Sequence, residues 1–226
     1  MDVERVAALR DALAHTAWWG QAREIGRAVR RTPGPGHLLL VGTPRVEPWH
    51  LAAHLQEESE ATGAPQLAPA LVRWNPPAAG PAHLSIGLSR LELVARGETV
   101  LVVAPEQASD ALLERVDDAR RIGATVLSLD AGDSRLGSLA HERMTVSSTG
   151  LALPEGLSPD TARSTLDVPP DVLAGLALPA SFEVAQHFVS VAAGGTDDRA
   201  DGGWRARLGR LIDAVSGPAP RARPGA

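Results

Sequence analysis

Seven histidines and no cysteine are available to this 226-residue chain for metal or proton chemistry. Two of them, His50 and His54, lie four residues apart in WHLAAHLQEESE, and Glu183 and His187 repeat that spacing in SFEVAQHF. Positions i and i+4 of a helix share a face, so each pair presents its side chains side by side. Imidazole and carboxylate suit zinc, nickel and cobalt, and two facing helices supply convergent ligands. His50, His54, Glu183 and His187 are therefore a candidate set for zinc or another divalent transition metal. The competing reading lays His50 and His54 along a helix flank or subunit contact, with Glu57 and Glu58 as solvated charge. Without a Glu directly after the first His, the pair lacks the general base of the zinc-protease helix motif, and its spacing alone names no reaction. His15, His37, His83 and His141 have no partner at ligand spacing.

The elements that must position these groups are legible in outline. HLLLVG reads as a strand buried on both faces, and Pro48 suits the first turn of the helix that carries His50 and His54. TVLVVAP is a strand and SDALLERVDDARRIG a helix opened by Ser109 and closed by Gly123; ATVLSLD is the next strand. Strand, helix and strand in so short a run form a right-handed parallel crossover. A short helix over SRLGSLAHE and a strand over RMTVSS follow, and ASFEVAQHFVSVAAGG reads as a helix ended by its paired glycines. Before the first strand, the apolar spacing predicts one long helix over residues 2–30, or two if Gly20 interrupts it. The Pro-rich segment 65–81 leaves room for a short strand at Ala70 to Trp74, and LSIGLSRLELVARGE has a helical pattern. Residues 150–180 read as a long loop with at most one helical turn. TDDRADGG is a linker, GWRARLGRLIDAV an amphipathic helix, and GPAPRARPGA a disordered tail. The division expected is a helical segment over 1–32, an α/β domain over 33–194, and linker, helix and tail over 195–226.

Composition removes several classes of function. Without Cys there are no disulfides, thiolate metal sites or cysteine nucleophiles. A formal net charge of -5, with Arg as the only strongly basic residue type, argues against nucleic acid or an anionic membrane as partner. No stretch approaches the roughly eighteen apolar residues of a membrane span. Met1 runs into an acidic amphipathic segment, which gives the cytoplasm as the expected compartment. Trp18, Trp19 and Trp49 are large enough to stack on a ligand, but tryptophans on helices this apolar more often fill a core or a subunit contact. There is no Walker loop, no Rossmann glycine set and no serine elbow.

Taken in order, HLLLVG, HLAAHL, GETVLVVAP, ARRIGATVLSL and DSRLGSLAHERMTV resemble the SIS (sugar isomerase) domain family, its phosphoheptose-isomerase-like members above all, over residues 35–193. The resemblance implies a three-layer α/β/α sandwich with a five-stranded parallel sheet. It implies a sugar phosphate or similar small polar ligand at the carboxyl ends of the strands, and assembly as a homodimer or homotetramer. Two loops depart from the family pattern. The Gly- and Ser-rich turn after the first strand is Gly42-Thr43-Pro44-Arg45-Val46 here. The hydroxyl-rich phosphate loop after the third is Ala104-Pro105-Glu106-Gln107-Ala108-Ser109, which sets an anion where an anion would bind. His50 matches the family's His on the following helix, and His54 stands where the family has a Glu.

Two activities are thus open. If the chain is a phosphosugar isomerase, the resemblance makes His54 and His187 its proton-transfer groups, with Thr43, Arg45 and Ser109 binding substrate; Asp130 and Ser134 join the substrate-binding set by position, at or just beyond strand carboxyl ends. Ser147 and Ser148 share the same position at a strand end. Alternatively the altered loops report lost catalysis, and the scaffold serves ligand sensing or protein assembly.

Overall fold

A computed structural model describes residues 17–77, 81–146 and 182–195 of the chain. Residues 2–16 of the helix or helix pair expected over 2–30, the loop over 150–180, Ser147, Ser148, the linker and the C-terminal amphipathic helix lie outside the described residues.

Five strands, Leu38–Val41 (β1), Ala70–Val72 (β2), Thr99–Ala104 (β3), Thr125–Asp130 (β4) and Glu142–Thr145 (β5), form one sheet in the order β2-β1-β3-β4-β5. Every pairing is parallel, so the expected five-stranded parallel sheet is present. β1 and β3 are buried at every position, the continuous apolar pattern of strands covered on both faces. Around the sheet stand Ala17–Arg30 (α1), Trp49–Thr62 (α2), Ser89–Glu92 (α3), Asp110–Ile122 (α4), Ser134–Leu139 (α5) and Phe182–Ala193 (α6).

The two-residue period of the strands sorts the core into two layers. Leu38, Leu40, Leu101, Val103, Leu127 and Leu129 pack with side chains of α1, α2 and α6. Leu39, Val41, Val100, Val102 and Val126 point the other way, against α3, α4 and α5. The result is the three-layer sandwich, and it places the helix bearing His50 and the helix bearing His187 on the same face.

α6 is buried almost all round, including its polar Gln186, His187 and Ser190. On one side α1 presses close: a Cβ added at Gly26 would lie 2.6 Å from the Ala192 carbonyl carbon. Arg30 donates to the carbonyls of Ala192 and Ala193, serving acceptors that the helix end leaves unpaired. Trp18 and Trp19 meet Phe188 edge-on, with ring centroids 6.2 and 6.1 Å away, which settles these tryptophans as packing groups. On its other side α6 meets α2.

Local chemistry accounts for the element ends. The Ser109 side chain accepts from Leu112 N at the start of α4, and Gly123 closes that helix at φ 99°, as the sequence predicts. α1 runs through Gly20 without a break, because its buried stripe Trp18, Ala22, Ile25 and Val29 continues on both sides of it. The helix expected over residues 84–98 shrinks to α3. Arg73 N bonds Ile86 O at 2.8 Å, drawing the chain into a bridge between Arg73 and Gly87, and the Glu98 carboxylate takes the Ala95 amide beyond α3. No helix among the described residues is long and apolar enough to cross a membrane.

Candidate functional site

The short loop 42–48 carries the chain from β1 into α2, so the first turn of α2 lies at the carboxyl end of the sheet. Leu51, Leu55, Glu58 and Ser59 form the buried stripe of α2. His50 and His54 lie on the flank beside it, toward α6. The helix begins after Pro48 with no side-chain cap of its own. Its Leu51 amide is taken instead by Gln186 Oε1 of α6 at 3.2 Å, while Gln186 Nε2 donates to Phe182 O at 3.0 Å. Gln186 thereby sets the register between the two helices.

That register brings three imidazoles together. His50 Nε2 lies 3.0 Å from His187 Nε2 and 3.0 Å from His54 Nε2. One ligand nitrogen from each of the three falls within 4.8 Å of the others. The rings stack edge-on or tilted, with centroids 4.3 to 4.6 Å apart. His187 is 9% exposed, whereas His50 opens to solvent. Burial, reinforced by the neighbouring charges His54 and His50 would carry, pushes the His187 pKa down to about 4. Burial and His54 also lower that of His50, against an opposing pull from Glu183 and Glu57. Both effects favour the neutral, lone-pair-bearing ring that a metal requires.

A neutral imidazole nitrogen carries either one hydrogen or one lone pair, so His50 Nε2 hydrogen-bonds to only one of its two close neighbours at a time. A cation held among three lone pairs would satisfy all three. Tetrahedral zinc with bonds near 2.0–2.1 Å needs nitrogens about 3.3 Å apart, a few tenths of an ångström more than the two close pairs show. His54 Nδ1 lies 3.3 Å from Glu57 Oε2; donating there leaves its Nε2 lone pair turned to the cluster. A carboxylate behind a metal-binding histidine commonly has this role. Glu183, expected as a fourth ligand, is exposed and stands outside the cluster, acting on His50 only as a nearby negative charge. The shared spacing of four does not bring it in, because Glu183 is exposed in the first turn of α6 while His187 is buried one turn on.

The residues expected to bind substrate divide differently. Thr43, 1% exposed, donates its hydroxyl to Glu106 Oε1 at 2.9 Å, and its Oγ1 accepts the Val46 amide. Arg45 reaches Glu106 Oε2 at 3.4 Å, and Glu47 holds Arg73 and the indole of Trp49, each at 3.0 Å. Thr43 and Arg45 therefore share one place with Glu106, between the ends of β1 and β3. Ser109 and Asp130 are drawn into the fold instead. Ser109 caps α4. Asp130 is fully buried, receiving Ser128 Oγ, the amides of Gly132 and Asp133, and the Arg143 guanidinium. A carboxylate at a strand end looks like a cleft group in sequence; here β5 supplies Arg143 to cover it. Ser134 opens α5 and is exposed, beside the capping Asp133.

Sequence reasoning missed Gln186 and the role of Glu57. Glu57 was detectable, since it lies three residues after His54. An uncapped helix start at Glu-Pro-Trp-His implied an amide acceptor from elsewhere, though nothing nearby named Gln186.

No family model and no curated protein sequence matches the chain. Solved structures do. A candidate phosphosugar isomerase from Silicibacter pomeroyi aligns over 95% of this chain and 54% of its own, with TM-score 0.48 and 15% identity. The sugar isomerase domain of the RpiR transcription factor from Sphaerobacter thermophilus aligns over 93% of both chains, with TM-score 0.40 and 13% identity. A candidate sugar binding protein from Salmonella typhimurium reaches TM-score 0.50 at 14% identity, over 94% of this chain and 54% of its own. The Salmonella protein shares the fold of this chain. The chain spans about half the length of the Silicibacter and Salmonella proteins. At these identities the likeness is one of fold, and the parallel sheet puts the three histidines at its carboxyl end, where open parallel sheets hold ligands.

Proposed function

We propose that this SIS-like chain binds a small sugar-derived ligand at the carboxyl end of its sheet, beside a divalent transition-metal centre held by His50, His54 and His187. The observation that carries the reading is the convergence of the three imidazoles, with His50 Nε2 3.0 Å from both of the others. His50, His54 and His187 would hold the metal through neutral nitrogens, and the chemistry it would supply is Lewis-acid polarisation of a ligand oxygen. Support for a sugar ligand comes from the shared fold of the Salmonella candidate sugar binding protein.

The metal and acid/base roles compete for the same atoms. A nitrogen lone pair bound to a metal cannot take a proton, so His54 and His187 act as ligands in this reading and as isomerase bases only in a metal-free site. A second reading, a non-catalytic scaffold for sensing or assembly, is favoured by Glu106, which engages the hydroxyl of Thr43 and the guanidinium of Arg45 that a substrate would otherwise use. Thermal-shift measurements against sugars and sugar phosphates, with zinc and with chelator, test the proposal. A zinc-dependent stabilisation by at least one sugar, lost in His187→Ala, is expected, because a ligand bound only to the folded state raises its melting temperature. No shift at millimolar ligand would contradict it. Turnover of a stabilising sugar by chelated protein would assign the isomerase role to the histidines instead.

A further inference from the structure

We propose that Glu106 determines ligand specificity: its carboxylate fills the anion position between the β1 and β3 loops, so the ligand presents a hydroxyl or ammonium donor there, not a phosphate. The inference rests on the sugar-ligand reading above and narrows it to a class.

In the order β2-β1-β3-β4-β5 the chain adds β2 on one side of β1 and the later strands on the other, so strand order reverses between β1 and β3, and ligands of open parallel sheets enter the crevice at that point. Several donors there that an anion would seek already engage a carboxylate or a hydroxyl. The Thr43 hydroxyl is 2.9 Å from Glu106 Oε1 and Arg45 is 3.4 Å from Glu106 Oε2. The Ala108 amide, just before α4, goes to Asp133 Oδ2 at 2.8 Å, and the Leu112 amide goes to Ser109 Oγ. Asp110 adds a further carboxylate in the first turn of that helix.

The β1 loop is equally closed. Thr43 N donates to Val46 O at 3.0 Å, Trp74 Nε1 donates to Gly42 O at 2.8 Å, and a Cβ at Gly42 would lie 2.0 Å from Val46 O. The Thr43 amide is therefore not offered to an anion. Yet the Glu106 side chain is 34% exposed. A carboxylate oxygen has lone pairs beyond the one each neighbour uses, so Glu106 can still accept from a ligand hydroxyl or ammonium. A phosphate in the same place would face like charge in a partly dry crevice.

The test is calorimetric binding of glucose, glucosamine and the 6-phosphates of both to the zinc-loaded protein, to Glu106→Gln and Glu106→Ala, and to Thr43→Val combined with Glu106→Ala. Glu106→Gln keeps the side-chain volume and removes only the charge, so it serves if the alanine variant misfolds. The native chain should bind each parent sugar more tightly than its phosphate. Loss of the charge should move that preference toward the phosphate by about tenfold or more, the effect of relieving a single modest charge repulsion. Removing Thr43 as well should cancel part of the gain. Tighter binding of glucosamine than glucose assigns an ammonium at Glu106, and equal binding assigns a hydroxyl; both support the proposal. Tighter binding of a phosphate by the native chain, or a preference unchanged in both Glu106 variants, would overturn it while leaving the sugar reading in place. Failure of all four sugars to bind any variant would overturn the sugar reading and this proposal together.

Discussion

Gln186 of α6 accepts the Leu51 amide of α2 at 3.2 Å, and the residues beside these two, His187 and His50, then meet with Nε2 atoms 3.0 Å apart. One hydrogen bond between neighbouring positions thus sets the distance between two candidate metal ligands. Gln186→Leu leaves a helix-start amide without its acceptor and should lower folding stability by ~1–3 kcal/mol in urea denaturation. It should also weaken zinc binding, read by competition with a chromogenic chelator. A stability loss with unchanged zinc affinity would show that α6 positions His187 without this bond.

Glu57→Gln tests the support behind His54. The carboxylate lies 3.3 Å from His54 Nδ1 on an exposed stretch of α2. The substitution should reduce zinc affinity about tenfold, the lower end of the effect of removing such a partner, with little change in urea midpoint. Unchanged affinity would reduce Glu57 to a surface charge.

Two glycines of α1 should respond in opposite directions. Gly26 has Ala192 and Ala193 backbone atoms within 2.8 Å of an added Cβ, whereas Gly20 has nothing within 4 Å. Gly26→Ala should force α1 away from α6 and cost ~1–3 kcal/mol. Gly20→Ala should gain ~0.5–1 kcal/mol from helix propensity and reduced unfolded-state freedom. Thermal denaturation of the two variants reads both signs.

Acid should weaken the fold through Asp133. Burial alone would raise its pKa from 3.8, but the amides of Ala108, Leu136 and Arg135, with Arg135 nearby, outweigh burial and hold it lower. A carboxyl depressed in the folded state contributes fully above its unfolded value, about 4, and loses that contribution as pH falls through its folded value. Glu98 is lowered too: burial opposes the shift, and Arg90, the Ala95 amide and His37 prevail. Asp133→Asn should therefore be less stable than the native chain at pH 7, with the gap narrowing below about pH 4. A gap independent of pH would assign the loss to geometry instead of charge.

The sheet and the histidine helices were legible because apolar runs and fixed periods are local properties. His50 and His54 declare a shared face at spacing four, and Ser109 with Gly123 declares both ends of α4. What sequence could not supply were partners across the chain. Gln186 caps a helix 135 residues away, and Glu106 finds Thr43 and Arg45 at separations of 63 and 61. Asp130 shows the converse: its strand-end position suggested a ligand group, but Arg143 on the adjoining β5 neutralises and covers it. In residues 84–98 a helical apolar pattern yielded to the bridge at Gly87 and to the Glu98 carboxylate, contacts that no local propensity encodes.

The central claim is that His50, His54 and His187 together hold one metal ion. The direct measurement is elemental analysis of untagged protein after zinc loading and exhaustive dialysis, beside His50→Ala and His187→Ala treated identically. About one zinc per native chain and near none in either variant are expected, because a three-histidine site that loses a ligand loses most of its affinity. A native chain that retains no zinc, or variants that retain as much as the native chain, would contradict it.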